Sequence, residues 1–443
     1  MAEIYPFRAL HYNPAVVPDL QKVVTQPYDK ISASMQAEYY ESSPFNFVRL
    51  ILRKGAPGTG ETVYRQAARE LQSWIEQRVL VSDSQPAIYP YTQGYAVPGQ
   101  PSNRKNRWGF VALCRLEDYS AGIVHRHEET LSGPKVDRLE LLKATRSGLG
   151  QIFFLYSDPE GSVEALLREP TEAKPWQQVT DEYATTHTMW RASDPRTVDQ
   201  VAELMRPKKL VIADGHHRYE TALAYSRQRQ AEAPEDTRAN YVMATFVPLE
   251  SEGLTILPTH RLVHGLDAFI WEGFCSRVRQ FFELEELDLA GSAQQDAASI
   301  RQSLEGAGSG QPAIAAYGGP KRSVLLRLRP DIDLSRALAE VPETLRRLDL
   351  VLLHELVLEK VMSIDRQAVR EQKHLRYVRN MDEAMNEVNE GRAQVAFLMN
   401  PTPIEAVCEN AFAGLVLPQK STDFYPKLLS GLAVYWMDNP AGL

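Results

Sequence analysis

The segment Val211 to Tyr225, VIADGHHRYETALAY, constrains the fold more tightly than any other stretch of the chain. Val211, Ile212 and Ala213 read as the end of a buried strand. Asp214-Gly215 then marks a sharp turn, with the glycine allowing close backbone approach or a positive φ. Tyr219, Ala222, Leu223 and Ser226 recur at helical spacing and predict one inward face. Such a strand-turn-helix unit calls for an α/β arrangement. It also leaves the amides of Gly215 to Arg218 at a helix N-terminus, able to bind an anion. Arg218 and two imidazoles, His216 and His217, suit a phosphate better than a carboxylate, because several charges need cancelling. The plainer reading makes Asp214 an N-cap and leaves the histidines exposed.

A second polar cluster lies upstream, in VHRHEETLSGPKVDRLELLKAT (124–145). His125, His127, Glu128 and Glu129 precede a loop with Gly133, Pro134 and Lys135. An amphipathic helix with Leu139, Leu142 and Thr145 inward is expected to follow. A carboxylate beside a histidine can act as general base for a hydroxyl or as a magnesium ligand. The alternative is a solvated charged turn.

GAPGTGET (55–62) nearly spells a phosphate-binding loop, but Glu61 stands where the lysine should be and would repel a nucleotide, so an exposed connector is expected. Weaker signals are TQPYDKIS (25–32), LPTHRLV (257–263) and QKSTDFYPK (419–427). Tyr28-Asp29, His260, Arg261, Lys420, Ser421, Thr422 and Lys427 are there set in apolar or turn surroundings. Each alone reads more readily as structural, although Lys420, Ser421 and Lys427 could contribute to an anion site.

At 443 residues the chain predicts two or three domains. Its 44% hydrophobic and 24% charged residues are those of a soluble globular protein. A net charge of −8 argues against a protein whose main task is gripping nucleic-acid phosphates. Cys114, Cys275 and Cys408 show no metal spacing and fit a reducing cytosol. The N-terminus lacks the pattern of a signal peptide, and no stretch approaches a transmembrane helix, so a prokaryotic cytoplasm is expected and no membrane partner.

Residues 1–115 read as an N-terminal α/β region, with a strand in NFVRLILR (46–53), a helix in 62–80, and a strand pair in QPAIYPYTQGYAV and RWGFVALCRL joined by the loop PGQPSNRKN. Residues 116–265 hold most of the unusual polar groups. Residues 266–345 read as a small α/β region: a helix in DAFIWEGFCSRVRQFF, then strands PAIAAYG and SVLLRLRP around the turn GPKR. Residues 346–443 read as a mainly helical region with one buried strand, QVAFLMN, and a tail.

PFRAL, QPYDKIS, HEETLSGPKVDRLELLKAT, IADGHHRYETALAY, LPTHRLV and QKSTDFYPKLLSGL together resemble domain-of-unknown-function family 1015 from end to end. Locally, HEE…DRLELL followed by a strand and ADGHHRYETAL is similar to the core of the ParB/sulfiredoxin-like superfamily, and the Asp-Gly-His-His-Arg turn to that of free L-serine kinases. Arg126 stands where those kinases carry a proline, residues 157 to 207 separate the two motifs, and the likeness covers about a third of the chain. It implies an α/β (α+β) fold with a ParB/sulfiredoxin-like nucleotide-binding core and a mixed sheet, elaborated by N- and C-terminal α/β regions.

For activity the resemblance implies phosphoryl transfer more firmly than it implies serine. Gly215, His216, His217, Arg218 and Lys135 would then bind the phosphates of ATP or ADP. Asp214 would hold Mg2+ or orient the substrate. Glu128 would accept the hydroxyl proton, with His127 supporting it and Glu129 in reserve. Arg138, His260, Arg261, Lys420, Ser421 and Lys427 would serve the acceptor, the tail closing over the site. A homodimer and a small-molecule substrate are the expected partners. Three other classes stay open: a metal-dependent phosphoesterase using Asp214, His216, His217 and His127; a ParB-like nucleotide switch on DNA; and a non-catalytic nucleotide-binding protein.

Overall fold

The computed structural model describes residues 1–54, 62–128, 132–289, 292–308 and 311–441, without the side chains of 132–134, 293 and 308. The near-match to a phosphate loop therefore lies, apart from Thr62, outside the described residues, as does Glu129. The chain forms two compact units: unit 1 comprises residues 1–126, 130–255 and 424–443, and unit 2 comprises 127–129 and 256–423.

Unit 1 is built on one mixed sheet of nine strands: β1 (Ile4–Tyr5), β2 (Tyr89–Val97), β3 (Gln100–Arg115), β4 (Val124–His125), β5 (Ile152–Tyr156), β6 (Gln177–Thr180), β7 (Thr186–Met189), β8 (Leu210–Asp214) and β9 (Tyr241–Pro248). Their order is β4-β8-β5-β9-β3-β2-β7-β6, with β1 on β3. β8 runs parallel to β4 and β5 parallel to β9, while the other pairs are antiparallel. Phe110, Phe154 and Phe246 stack along the centre, and Tyr219 packs edge-on against Phe154.

Unit 1 also holds the helices α1 (Val63–Glu76), α2 (Ser132–Thr145) and α3 (His216–Glu232). α1 confirms the expected helix, but Leu80 already begins a short strand. The strand expected at 46–53 is instead a helical turn, Val48–Ile51. The Asn46 side chain accepts the Val48 amide at 3.0 Å and starts it. Val48, Leu50 and Ile51 are all buried, so the run shows no period that separates strand from helix. In α2 the fully buried positions are Leu141 and Thr145, with Leu139 and Leu142 half-buried. The hairpin β2–β3 has the expected strands but a far shorter connection. Val97 already pairs with Gln100, and Gly99 turns the chain at φ +75°. Residues 100–105 extend as a polar ribbon with no alternation to reveal it.

Unit 2 holds a six-stranded sheet: β10 (His260–Val263), β11 (Phe282–Glu286), β12 (Ala313–Tyr317), β13 (Ser323–Leu328), β14 (Leu375–Val378) and β15 (Val395–Met399), in the order β11-β13-β12-β15-β10-β14 and antiparallel throughout. One face packs on the helical run 349–361, whose second part, Leu353–Val361, is a π-helix. The other face packs on α4 (Ala293–Gly308) and α5 (Met381–Asn389). The helix expected across 267–282 stops at Val278 and Phe282 opens β11. Among the described residues no helix is long and apolar enough to cross a membrane.

Candidate functional site

The strand-turn-helix of the opening segment is present as read. β8 ends at Asp214, Gly215 takes φ +94° as N-cap without any side-chain cap, and α3 begins at His216. A bulge at Ala213 shifts the pairing with β5, so that Ile212 faces Phe154 while Asp214 faces Phe153. Bulges re-aim a strand end, and here the bulge lies beside the turn. Tyr219, Ala222 and Ser226 are buried and Leu223 half-buried, as the helical spacing required.

Asp214 gathers several charged groups at the turn. Its Oδ2 accepts Arg218 Nη2 at 2.9 Å, and Lys427 Nζ stands 3.6 Å from Oδ1. Burial alone would raise its pKa; the charges of Lys427, Arg218, Lys30 and His216 outweigh burial and hold the carboxyl well below the usual carboxylate range. One carboxylate thus sits among two closely placed cations, a third cation and an imidazole, at the start of a helix. The surplus of positive charge fits an anion. The same crowding makes Asp214 a poor ligand for Mg2+, because Arg218 and Lys427 already bracket its oxygens. Among the described residues no three His, Cys, Asp or Glu side chains are grouped to hold a metal ion.

Arg218 is held as well as charged. Its Nη1 donates to the Gln151 carbonyl at 2.6 Å. A Cβ on Gly215 would lie 3.1 Å from its Nε, and one on Gly150 3.3 Å from its Nη1. Glycines on both sides therefore let the guanidinium lie flat against the turn. Beside it opens a mainly apolar cavity lined by Tyr28, Arg138, Leu141, Ala222, Tyr225 and Tyr241, among others.

Lys427 reaches Asp214 because the tail is clamped to the sheet. Arg107, wholly buried, donates from Nη1 to the Tyr425 carbonyl at 3.1 Å and from Nη2 to that of Pro426 at 2.5 Å. Gln93, the cross-strand partner of Arg107, accepts from Arg107 Nε at 3.0 Å and donates to the Lys427 carbonyl at 2.9 Å. The Tyr425–Pro426 peptide is cis. Further along, Ser430 exchanges backbone hydrogen bonds with Thr25. A buried set joins the same strands: His187 meets Tyr91 Oη at 2.5 Å and Asp181 Oδ2 at 3.1 Å.

The other expected site residues fall as follows. His216 is buried and His217 half-buried in the first turn of α3. Lys135 forms an ion pair with Glu220, which Arg126 also approaches at 3.7 Å. Arg138 lies 4.1 Å over the Tyr28 ring and donates to the Ile51 carbonyl at 2.7 Å, sharing the cavity with Arg218. His127, Glu128, His260, Arg261, Lys420 and Ser421 belong to unit 2. There Glu128 Oε1 accepts the Lys420 amide at 2.9 Å, and His127 Nε2 is hydrogen-bonded to Thr422 Oγ1 at 2.7 Å. His260 Nδ1 accepts the Met399 amide at 3.1 Å, and Arg261 donates to the Lys420 carbonyl at 2.9 Å. Lys420 and Lys427, read as one tail motif, thus belong to different units.

Sequence reading missed Lys30, Gln93, Arg107 and Gln151. The available signal was Gln93, an inward polar position in an alternating strand, together with an arginine at the head of the apolar run of β3.

The fold and the turn define a mixed α/β protein with a cationic helix-start site. The chain belongs to the family described as "Protein of unknown function (DUF1015)", matched over residues 4–351. No curated protein matches it. Among solved structures, a conserved hypothetical protein from Pyrococcus furiosus aligns at 13% identity and TM-score 0.35, over 71% of this chain and 93% of that one. A free serine kinase variant in complex with AMP aligns at 13% identity and TM-score 0.36, over 70% and 89%. A C-terminally truncated SbnI from Staphylococcus aureus aligns at 9% identity and TM-score 0.34, over 74% and 90%. Likeness of this degree bears on neither activity nor ligand.

Proposed function

We propose that the protein is a small-molecule kinase that moves a phosphoryl group from ATP or ADP to the hydroxyl of a small metabolite such as free L-serine. The observation that carries this reading is the concentration of Lys30, Arg218, Lys427 and His216 around Asp214 at the start of α3. Phosphoryl transfer asks a protein chiefly for positioning and charge neutralisation, which such a cluster supplies.

In this reading the Gly215–Arg218 amides and the guanidinium hold the nucleotide phosphates. The apolar cavity beside Arg218 receives the base, with Tyr28 and Tyr225 on its walls. Asp214 keeps Arg218 and Lys427 in place. The acceptor oxygen attacks phosphorus, the bond to the departing nucleotide oxygen breaks, and a carboxylate base takes the hydroxyl proton, the role that the resemblance gives to Glu128. His127 supports that step through its place beside Glu128 in sequence. Mg2+ carried on the nucleotide would add charge neutralisation at the phosphates. The choice of serine comes from the resemblance of the Asp-Gly-His-His-Arg turn.

The test incubates the protein with magnesium, ATP or ADP and a panel of hydroxylated acceptors including L-serine, and follows phosphorylated product by mass spectrometry. Phosphoserine formed by the native protein and lost in Glu128→Ala and His217→Ala supports the reading. Nucleotide hydrolysed with no phosphorylated acceptor replaces it by a phosphohydrolase, and binding without turnover by a nucleotide-binding protein.

A further inference from the structure

A separate site is built wholly within unit 2, around Arg261 on β10. The side chain is 2% exposed. It donates to the carbonyls of Thr259 and Lys420 and lies 5.5 Å over the Tyr377 ring. Its Nε has no hydrogen-bond partner, and neither does the buried Tyr377 hydroxyl. Among the described residues no carboxylate stands within ion-pair distance of it. Burial lowers its pKa to about 10, against the pull of Tyr377 and Glu128, so it stays charged at neutral pH.

A buried guanidinium answered only by carbonyls is costly, and a bound anion is the usual remedy. Arg261 lines a cavity of about 630 Å3, together with Arg347, Asp349, Asn400, Thr402 and Ser421. Arg347 is exposed and supplies a second cation. Thr402 donates to the Ser421 carbonyl at 2.8 Å, which fixes that wall. Two carboxylates, Asp349 and Glu305, line the same cavity. Asp349 already accepts the Ala313 amide at 3.1 Å, and burial raises its pKa to about 6, so anion binding should strengthen as pH falls towards 6.

We propose that this cavity binds a small anionic metabolite through a carboxylate or phosphate head paired with Arg261 and Arg347. The site is independent of the Gly215 turn, so the two stand or fall separately.

The experiment is calorimetric titration of the full chain with L-malate and, separately, with inorganic phosphate. The expected result is saturable binding of one of the two at a site weakened at least about tenfold in Arg261→Gln and in Arg347→Glu, distinct from any phosphate bound at the Gly215 turn. Arg347→Glu lies on the surface and decides the matter should Arg261→Gln fail to fold. The probe that binds identifies the head group as carboxylate or phosphate. The proposal is overturned if neither probe binds at about 10 mM, or if the binding isotherm is unchanged by the substitution of Arg347.

Discussion

Lys427 Nζ lies 3.6 Å from Asp214 Oδ1, joining the last segment of the chain to the first residue of the Asp-Gly-His-His-Arg turn. The lysine arrives there because Arg107 and Gln93 hold the three preceding and adjoining carbonyls of the tail. The cationic cluster around Asp214 is therefore made by three distant stretches: the β2–β3 hairpin, the turn after β8, and the tail.

Removing the clamp should show this directly. Arg107→Leu takes away a buried charge that satisfies Gln93 and two tail carbonyls, leaving those acceptors unpaired. The expected cost is about 3–5 kcal/mol in denaturant unfolding, and nucleotide affinity should fall with it in whatever fraction remains folded. An unchanged midpoint would mean that the tail is held by its apolar contacts alone.

Gly215→Ala tests the turn. A side chain at φ +94° is strained, and the new Cβ would press on Arg218 at 3.1–3.2 Å. A loss of roughly 1–2 kcal/mol of stability is expected, with a larger proportional loss of nucleotide binding because the guanidinium must move. Equal retention of both would show that the turn relaxes freely.

Much of this site was legible in the sequence. Val211 to Tyr225 reads as strand, turn and helix because each part carries its own local signal: an apolar run, a glycine, and helical spacing. Arg107 and Lys427 were not legible as a pair, since only the strand register and the path of the tail bring them together. NFVRLILR failed for the opposite reason. Burial on all sides erased its period, and a hydrogen bond from Asn46, invisible in the spacing, decided for a helical turn.

Acid should destabilise unit 2. Burial, with Arg261 and Arg301 nearby, depresses His260 to about 3, and its Nδ1 must stay unprotonated to accept the Met399 amide. A depressed histidine contributes stability that is present above its unfolded pKa of about 6.5 and is lost as pH falls from there towards 3. Burial likewise depresses His354 to about 3. Denaturant midpoints should therefore drop between pH 6.5 and pH 4, and His260→Asn, which keeps an acceptor, should flatten that slope. A slope unaltered in this variant would assign the acid sensitivity to other groups.

Lys427→Ala separates charge from packing at the site. The tail clamp acts through main-chain carbonyls and keeps the backbone in place, but the buried lysine leaves Asp214 with one cation fewer, so a stability loss of roughly 1–3 kcal/mol is expected while affinity for ADP falls several-fold. A large stability loss with intact affinity would make Lys427 a structural partner of Asp214 only.

The most direct measurement of the central claim is calorimetric titration of the protein with magnesium and ADP, repeated with Arg218→Gln. One site per chain is expected, with affinity at least about tenfold weaker in the folded fraction of the variant. Equal affinity in both proteins, or no binding to either, would contradict the assignment of the Gly215–Arg218 turn as the nucleotide phosphate site.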